Sequence, residues 1–309
     1  MRPCFIFLVV FATLLLPGEA VAQDVTPGPS PGAALTFEDQ VDAGGGRTLH
    51  LACAGTGGPP VLLEWGGPND DGATSVIADL GPDLAAALGT RFCAYDRAGT
   101  GQSAPDPVGV RTLREAAADL RAVLASPQLG CPCVVVGASL GGAISLAALE
   151  ADATGFGGLV LLDALYPGFV DDIGALAPAG APETVQQMHL MSGDNAERLD
   201  MVSGFRQATS PTAPPMIPVY VVTHGAGNAP PCQGDVCSTD YPVEDLEAAW
   251  QAGQVSLDDA LGGRLVVAEG TGHAIADENP GLAVELTAEV IAAVRDPGSW
   301  ATPTASPTG

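Results

Sequence analysis

The segment from Cys133 to Ala143 constrains this chain more than any other: Cys-Val-Val-Val-Gly-Ala-Ser-Leu-Gly-Gly-Ala. A β-branched apolar run suited to a buried strand ends at Gly137. A small-residue stretch suited to a helix begins at Leu140. The Gly-x-Ser-x-Gly turn between them leaves Ser139 at its apex with glycine-sized neighbours. Such a strand–turn–helix lifts the serine hydroxyl above a sheet, at a helix N-terminus. Backbone N–H groups and the helix dipole favour negative charge there. Ser139 is therefore the candidate nucleophile.

The rest of the chain repeats the alternation that such a turn needs. Short apolar runs at 49–52, 60–65, 91–95, 133–137, 158–162, 217–223 and 264–268 read as strands. Between and after them, 112–125, 140–150 and 281–294 read as helices, the first with Leu113, Ala116, Ala117, Leu120 and Leu124 on one face. Strands alternating with helices predict an α/β domain with a doubly wound, mostly parallel sheet. Ligands of such sheets bind beyond the strands' carboxyl ends. Ser139, Asp163, Gly66, Asp96 and His273 all fall at or just past such ends. No strand is predicted between Asp163 and Ile217, and insertions this long are seldom plain loops. A small helical cap over about 164–216 is expected, with Met188, Leu190, Met191, Leu199, Met201, Val202 and Phe205 as candidates for its underside.

The first 22 residues read as a signal peptide, with Arg2, an apolar run and Ala20-Val21-Ala22 as the cleavage site. Export to a secreted or extracytoplasmic location is expected, with no membrane association after cleavage. Residues 23–35 read as a disordered linker, 36–296 as the folded domain and 297–309 as a disordered tail. The formal net charge is -25, and all 11 basic residues are arginine. Such a surface repels phosphate backbones, which excludes nucleic acid as a partner and leaves a small-molecule substrate. Six cysteines follow the signal: Cys53, Cys93, Cys131, Cys133, Cys232 and Cys237. An even number in an exported chain points to disulfides, and no spacing fits a metal site. A bridge between Cys131 and Cys133, two residues apart, is strained, and free thiols are the alternative left open.

With these motifs in place, the chain resembles the α/β-hydrolase superfamily over nearly all of 48–294. The resemblance rests on the Ser139 turn, on Asp96-Arg97-Ala98-Gly99-Thr100-Gly101-Gln102-Ser103 and on Gly270-Thr271-Gly272-His273, in the family's order. Leu63-Glu64-Trp65-Gly66 departs from the His-Gly that most relatives carry there. The resemblance implies a secreted bacterial serine hydrolase, esterase-like or proline-iminopeptidase-like, working without cofactor or metal. His273 then becomes the general base of Ser139. The acid is Asp163, after the sixth strand, or Asp235, in the loop after the seventh where most relatives place it, with Asp240 behind. Asp163 is favoured. The backbone N–H groups of Leu140 and Gly67 would form the oxyanion hole, flanked by Trp65 and Pro68.

The remaining motif residues take supporting roles under the same resemblance. Asp96, Arg97 and Ser103 organise their loop, and Glu64, buried, requires a partner, for which Arg97 is named. His50 is structural, His189 lies in the cap, and His224, closing the strand before the last, borders the pocket. Cys53 and Cys93 fall on strands that neighbour each other in this fold and are expected to pair, whereas Cys232 and Cys237 would staple a loop. Dehalogenases and epoxide hydrolases, which use aspartate in place of the serine, are disfavoured. Peptide or amide release would need an acidic subsite for the amine, for which Glu64 and the cap acids are the candidates. A silent ligand-binding homologue is the reading from outside enzymology.

Overall fold

The computed structural model describes residues 37–67, 71–107, 109–176, 196–200, 213–225 and 243–300. Eight strands form one sheet in the order β1-β2-β4-β3-β5-β6-β7-β8. They are β1 Phe37–Gly44, β2 Arg47–Ala54, β3 Val61–Glu64, β4 Phe92–Tyr95, β5 Cys133–Ala138, β6 Phe156–Leu162, β7 Val219–His224 and β8 Arg264–Ala268. Only the β1–β2 and β2–β4 pairs are antiparallel. From β4 to β8 the pairing is parallel, as the alternating sequence pattern predicts.

The strands carry apolar side chains on both faces, and helices cover both. On one face α3 (Leu113–Leu124), α4 (Leu140–Ala151), α5 (Phe169–Leu176) and α6 (Val243–Leu261) bury Leu120, Ile144, Val170 and Trp250 against Leu51, Val135 and Leu161. On the other, α1 (Thr74–Asp79), α2 (Gly81–Leu88), α7 (Ile275–Glu278) and α8 (Pro280–Arg295) bury Ile77, Leu88, Ile275 and Val290 against Val61, Val136 and Val160. Helix α3 starts as its sequence dictates. Thr112 accepts from the amide of Arg114, and the Glu115 carboxylate accepts from the amide of Thr112, closing a capping box.

The elements outside the pattern read from the sequence include β1, α1, α2, α6 and the short α7. β1 is an edge strand of alternating polar residues, with Val41 buried. Helices α1 and α2 meet at Leu80-Gly81-Pro82, which interrupts their period. Helix α6 carries a polar stripe on a buried face, as described below.

Cys53 and Cys93 stand directly opposite each other across the β2–β4 ladder and are joined. Cys131 and Cys133 are joined as well, so of the two alternatives the structure has the bridge and not the free thiols. Their Cα atoms lie 4.5 Å apart around Pro132, within the span a disulfide bridges. Ordered structure also runs past 296: Pro297–Ser299 forms a 3-10 turn. Trp300 then meets the Tyr220 ring edge-to-face and lies beneath the Arg264 guanidinium. An aromatic with a cation to stack on has reason to leave solvent. The signal segment, the linker, most of the cap, and Cys232 and Cys237 lie outside the described residues. Of the cap candidates Leu199 is described, and it is buried in the core.

The Cys53–Cys93 bridge closes a sequence separation of 40 residues. Replacing both cysteines by alanine is expected to cost about 4 kcal/mol of unfolding free energy in the chain-entropy account. Urea unfolding of the double variant under non-reducing conditions measures it.

Candidate active site

The parallel register assembles this site. β5 and β6 run side by side, with Ala138 opposite Leu162. The next residues on each strand are therefore neighbours, and these are Ser139 and Asp163. The Ser139 amide donates to the Leu162 carbonyl at 3.0 Å, and the Asp163 amide to the Val222 carbonyl on β7 at 2.7 Å. Both residues have positive φ, 50° at Ser139 and 47° at Asp163, a costly backbone for residues with side chains. Two such residues at adjacent strand ends mark where the chain has been turned to aim side chains.

The turn at Ser139 depends on its glycines. A Cβ on Gly141 would come within 2.0 Å of the Glu64 carbonyl oxygen and 2.4 Å of that of Trp65. The end of β3 thus runs against the first turn of α4, and only glycine admits it. Gly66 follows beside Ser139, where an added Cβ would lie 3.4 Å from the Ser139 Cβ.

His273 enters from the loop after β8. Its Nε2 lies 2.9 Å from Ser139 Oγ, and its Nδ1 lies 2.6 Å from Asp163 Oδ2. Three of the residues singled out in the sequence are therefore brought into one hydrogen-bonded chain. Ser139 and His273 are half-buried, and Asp163 is wholly buried. The other acids considered, Asp235 and Asp240, lie outside the described residues, as do His189 and Pro68.

Asp163 has further partners. His224 Nδ1 is 2.8 Å from Oδ2, while Oδ1 accepts from the His224 amide at 3.1 Å and from the Trp250 indole N–H at 2.9 Å. Burial alone would raise the Asp163 carboxyl, but the hydrogen bonds from His224 and His273 outweigh it and hold the group below its ordinary value. His224 does not border an open pocket, as its sequence position suggests. It is wholly buried behind Asp163, with Nε2 3.0 Å from Glu247 Oε2. Burial pulls its ring down, but the hydrogen bonds and charges of Asp163 and Glu247 prevail and lift it from 6.5 to about 9.

Helix α6 supplies the backing that sequence reading misses. Glu247, Trp250, Gln251 and Gln254 recur at helical spacing on one face. Gln251 donates to Glu247 Oε1 at 3.0 Å and to the His224 carbonyl at 3.1 Å, and Gln254 donates to the Ala164 carbonyl at 2.7 Å. A polar and aromatic stripe flanked by apolar residues is the available signal. Trp250 also sets its ring edge-to-face with His273, centroids 5.6 Å apart.

The second constellation lies under Gly67. Arg97, buried, donates to Glu64 Oε1 at 3.0 Å and bidentately to Glu197 at 2.7 Å. It also donates to the carbonyls of Trp65, Gly66 and Gly67 at 2.7, 3.1 and 2.6 Å. The expected partnership of Glu64 and Arg97 is thus present, and it turns three consecutive carbonyls toward the guanidinium. Leu140, as the first residue of α4, has an amide with no acceptor inside its helix. Asp96 and Ser103 hold their loop: Asp96 accepts from Thr74, Gln102 and His50, and Ser103 Oγ donates to the Asp96 carbonyl.

Comparison with known proteins agrees with this architecture. A sequence profile of the alpha/beta hydrolase family matches residues 72–286. The chain belongs to that family and is a hydrolase of the α/β type. No curated protein matches it significantly. Among solved structures it is similar to an esterase from Thermogutta terrifontis, at 18% identity and a TM-score of 0.54 over 84% of this chain and 99% of that one. It is similar to a serine hydrolase involved in carbazole degradation, at 18% identity and TM-score 0.52 over 83% and 98%. A proline iminopeptidase-related protein from Thermus thermophilus matches at 16% identity and TM-score 0.54 over 84% and 98%. These likenesses share the fold. Among the described residues no helix is long and apolar enough to cross a membrane.

Two outcomes follow for stability. Arg97→Met leaves Glu64 and Glu197 buried without their cation, and should destabilise the protein by about 3–5 kcal/mol in chemical denaturation. The folded state holds the His224 proton more tightly than the unfolded chain does. Its stabilisation is therefore complete below about pH 6.5 and is lost as pH rises through about 9. Thermal denaturation across that window should show a falling Tm, and the fall should be smaller in His224→Gln.

Proposed function

We propose that the protein is an exported serine hydrolase that cleaves small carboxylic esters by acyl transfer through Ser139, His273 and Asp163. The observation that carries this reading is the unbroken chain Ser139 Oγ, His273 Nε2, His273 Nδ1, Asp163 Oδ2, with contacts of 2.9 and 2.6 Å.

A serine hydroxyl is a weak nucleophile until a base takes its proton. His273 Nε2 accepts the Ser139 proton as Oγ bonds to the acyl carbon. Asp163 accepts from Nδ1–H, which fixes the tautomer and stabilises the imidazolium that forms. The carbonyl oxygen, now anionic, is received by the N–H groups of Leu140 and Gly67, and Arg97 holds the peptide that bears the Gly67 N–H through its Gly66 carbonyl. The tetrahedral intermediate collapses, the alcohol leaves with the proton from His273, and an acyl-serine remains. Water then attacks the acyl carbon, His273 takes its proton, and the carboxylic acid departs as Ser139 recovers its hydrogen. No step calls for a metal or cofactor.

Ester rather than amine-bearing substrates are favoured by the state of the acids. Glu64 and Glu197 are both paired with Arg97, so neither is available to recognise a substrate amine. The complete hydrogen-bonded chain at Ser139 speaks against a silent binder. Export is supported by the signal-like first 22 residues and by the two disulfides among the described residues.

Hydrolysis of p-nitrophenyl acyl esters from acetate to decanoate tests the reading. Turnover should peak at one chain length and fall by about 10⁶ in Ser139→Ala and by about 10⁴ in Asp163→Asn. A fluorophosphonate probe should label Ser139 alone. An unlabelled protein without turnover would sink the proposal.

A further inference from the structure

The proposed mechanism uses one contact of Asp163 and leaves a buried histidine unexplained. His224 has no exposure, and each of its ring nitrogens faces a carboxylate oxygen: Nδ1 faces Asp163 Oδ2 at 2.8 Å, and Nε2 faces Glu247 Oε2 at 3.0 Å. An ionised carboxylate only accepts, and a neutral imidazole has one N–H to give. Both contacts are hydrogen bonds to ionised carboxylates only when the ring carries both protons.

The surroundings agree with a cation. From β6 comes Asp163 and from α6 comes Glu247. Beyond Asp163, on the loop after β8, stands His273. Among the described residues the other groups about the ring are uncharged: Trp250, with its ring centroid 6.0 Å away, and Gln251, which donates both to the His224 carbonyl and to Glu247. Two carboxylates thus flank one buried imidazole, and the Trp250 indole N–H completes the hold on Asp163 Oδ1.

We propose that His224 is a positioning residue of this hydrolase: a buried imidazolium clamped between Asp163 and Glu247 that fixes the Asp163 carboxylate and offsets part of its negative charge behind His273. The inference rests on the reading of Ser139, His273 and Asp163 as the reacting chain. A lone aspartate against the base would both orient the ring and favour a proton on it. A base that takes a proton from serine must begin without one. The clamp keeps the orientation while reducing the charge. It also occupies the acid's second approach, so that Oδ2 cannot turn away from His273 without breaking a charge-assisted bond.

Nitrogen-15 NMR of the intact protein reads the ring directly. At neutral pH His224 should give two protonated nitrogens, and Glu247→Gln, which removes the outer anion, should move its loss of a proton to lower pH by about one unit. A neutral His224 ring at neutral pH would overturn the proposal, and this measurement needs no variant to fold. In kinetics with a p-nitrophenyl ester, His224→Gln keeps a donor to Asp163 but no charge. Its kcat should fall about tenfold with KM little changed. The acidic limb of kcat/KM should move up by about one pH unit. A merely structural residue would lower activity without moving the limb, and an unmoved limb in a folded variant would refute the role. If the wild type turns over no ester, the hydrolase reading fails and the positioning role with it, whereas the clamp itself is judged by NMR alone.

Discussion

A wholly buried carboxylate is among the most demanding groups a fold can contain, and this site is arranged around Asp163. An ion of that size loses several kcal/mol of hydration on burial, recovered only through close and numerous donors. Here the donors come from three places: β7, with the His224 ring, the His224 amide and the Thr223 hydroxyl; α6, with Trp250; and the loop after β8, with His273. Satisfying the aspartate therefore draws β7, α6 and the Gly-rich loop after β8 into one place. The geometry at Ser139 is a consequence. His273 reaches the serine because its far nitrogen is already anchored, and the anchor is rigid because its other contacts are made by strands and a helix.

The same logic governs Arg97, with the signs reversed. A chain of net charge -25 with 11 arginines has few cations to place inside. Arg97 answers two buried glutamates, one on β3 and one at 197 in the cap segment, and three carbonyls leading to Gly67. Arg111 and Arg47 answer Asp119 in the same manner beneath β2. Within the fold each of these cations fixes a loop whose backbone would otherwise have several conformations.

How much is legible in the sequence follows from which signals are local. The Ser139 turn, the Gly-rich loop bearing His273 and the strand ending at Asp163 are each written within ten residues, and steric rules dictate their shapes. The Glu64–Arg97 pairing is readable because a carboxylate buried in the middle of a sheet needs a cation and Arg97 stands past the end of the neighbouring strand, β4. Helix α6 is not legible, because its buried face mixes Glu247, Trp250, Gln251 and Gln254 with Leu246 and Leu257, and a polar stripe looks like a solvated one until its partners are known. The Cys131–Cys133 bridge is misjudged when an extended chain is assumed, whereas the bend at Pro132 draws the two Cα atoms together. Trp300 reads as tail because its partners, Tyr220 and Arg264, lie far away in sequence.

The ends of β6 and β7 tie these observations together. By the resemblance, most relatives carry the acid beyond β7; in this structure β7 closes with His224, and the carboxylate that meets His273 is that of Asp163, just past the end of β6. The register makes the two positions neighbours, since the Asp163 amide bonds to the Val222 carbonyl two residues before His224. Just past β6 the Asp163 carboxylate is fully buried. An aspartate so placed requires donors, and His224 on the neighbouring β7 is one. Its own burial then calls for Glu247, and Glu247 for Gln251. The polar stripe on α6 is therefore the far end of a chain of requirements that begins with the position of one carboxylate.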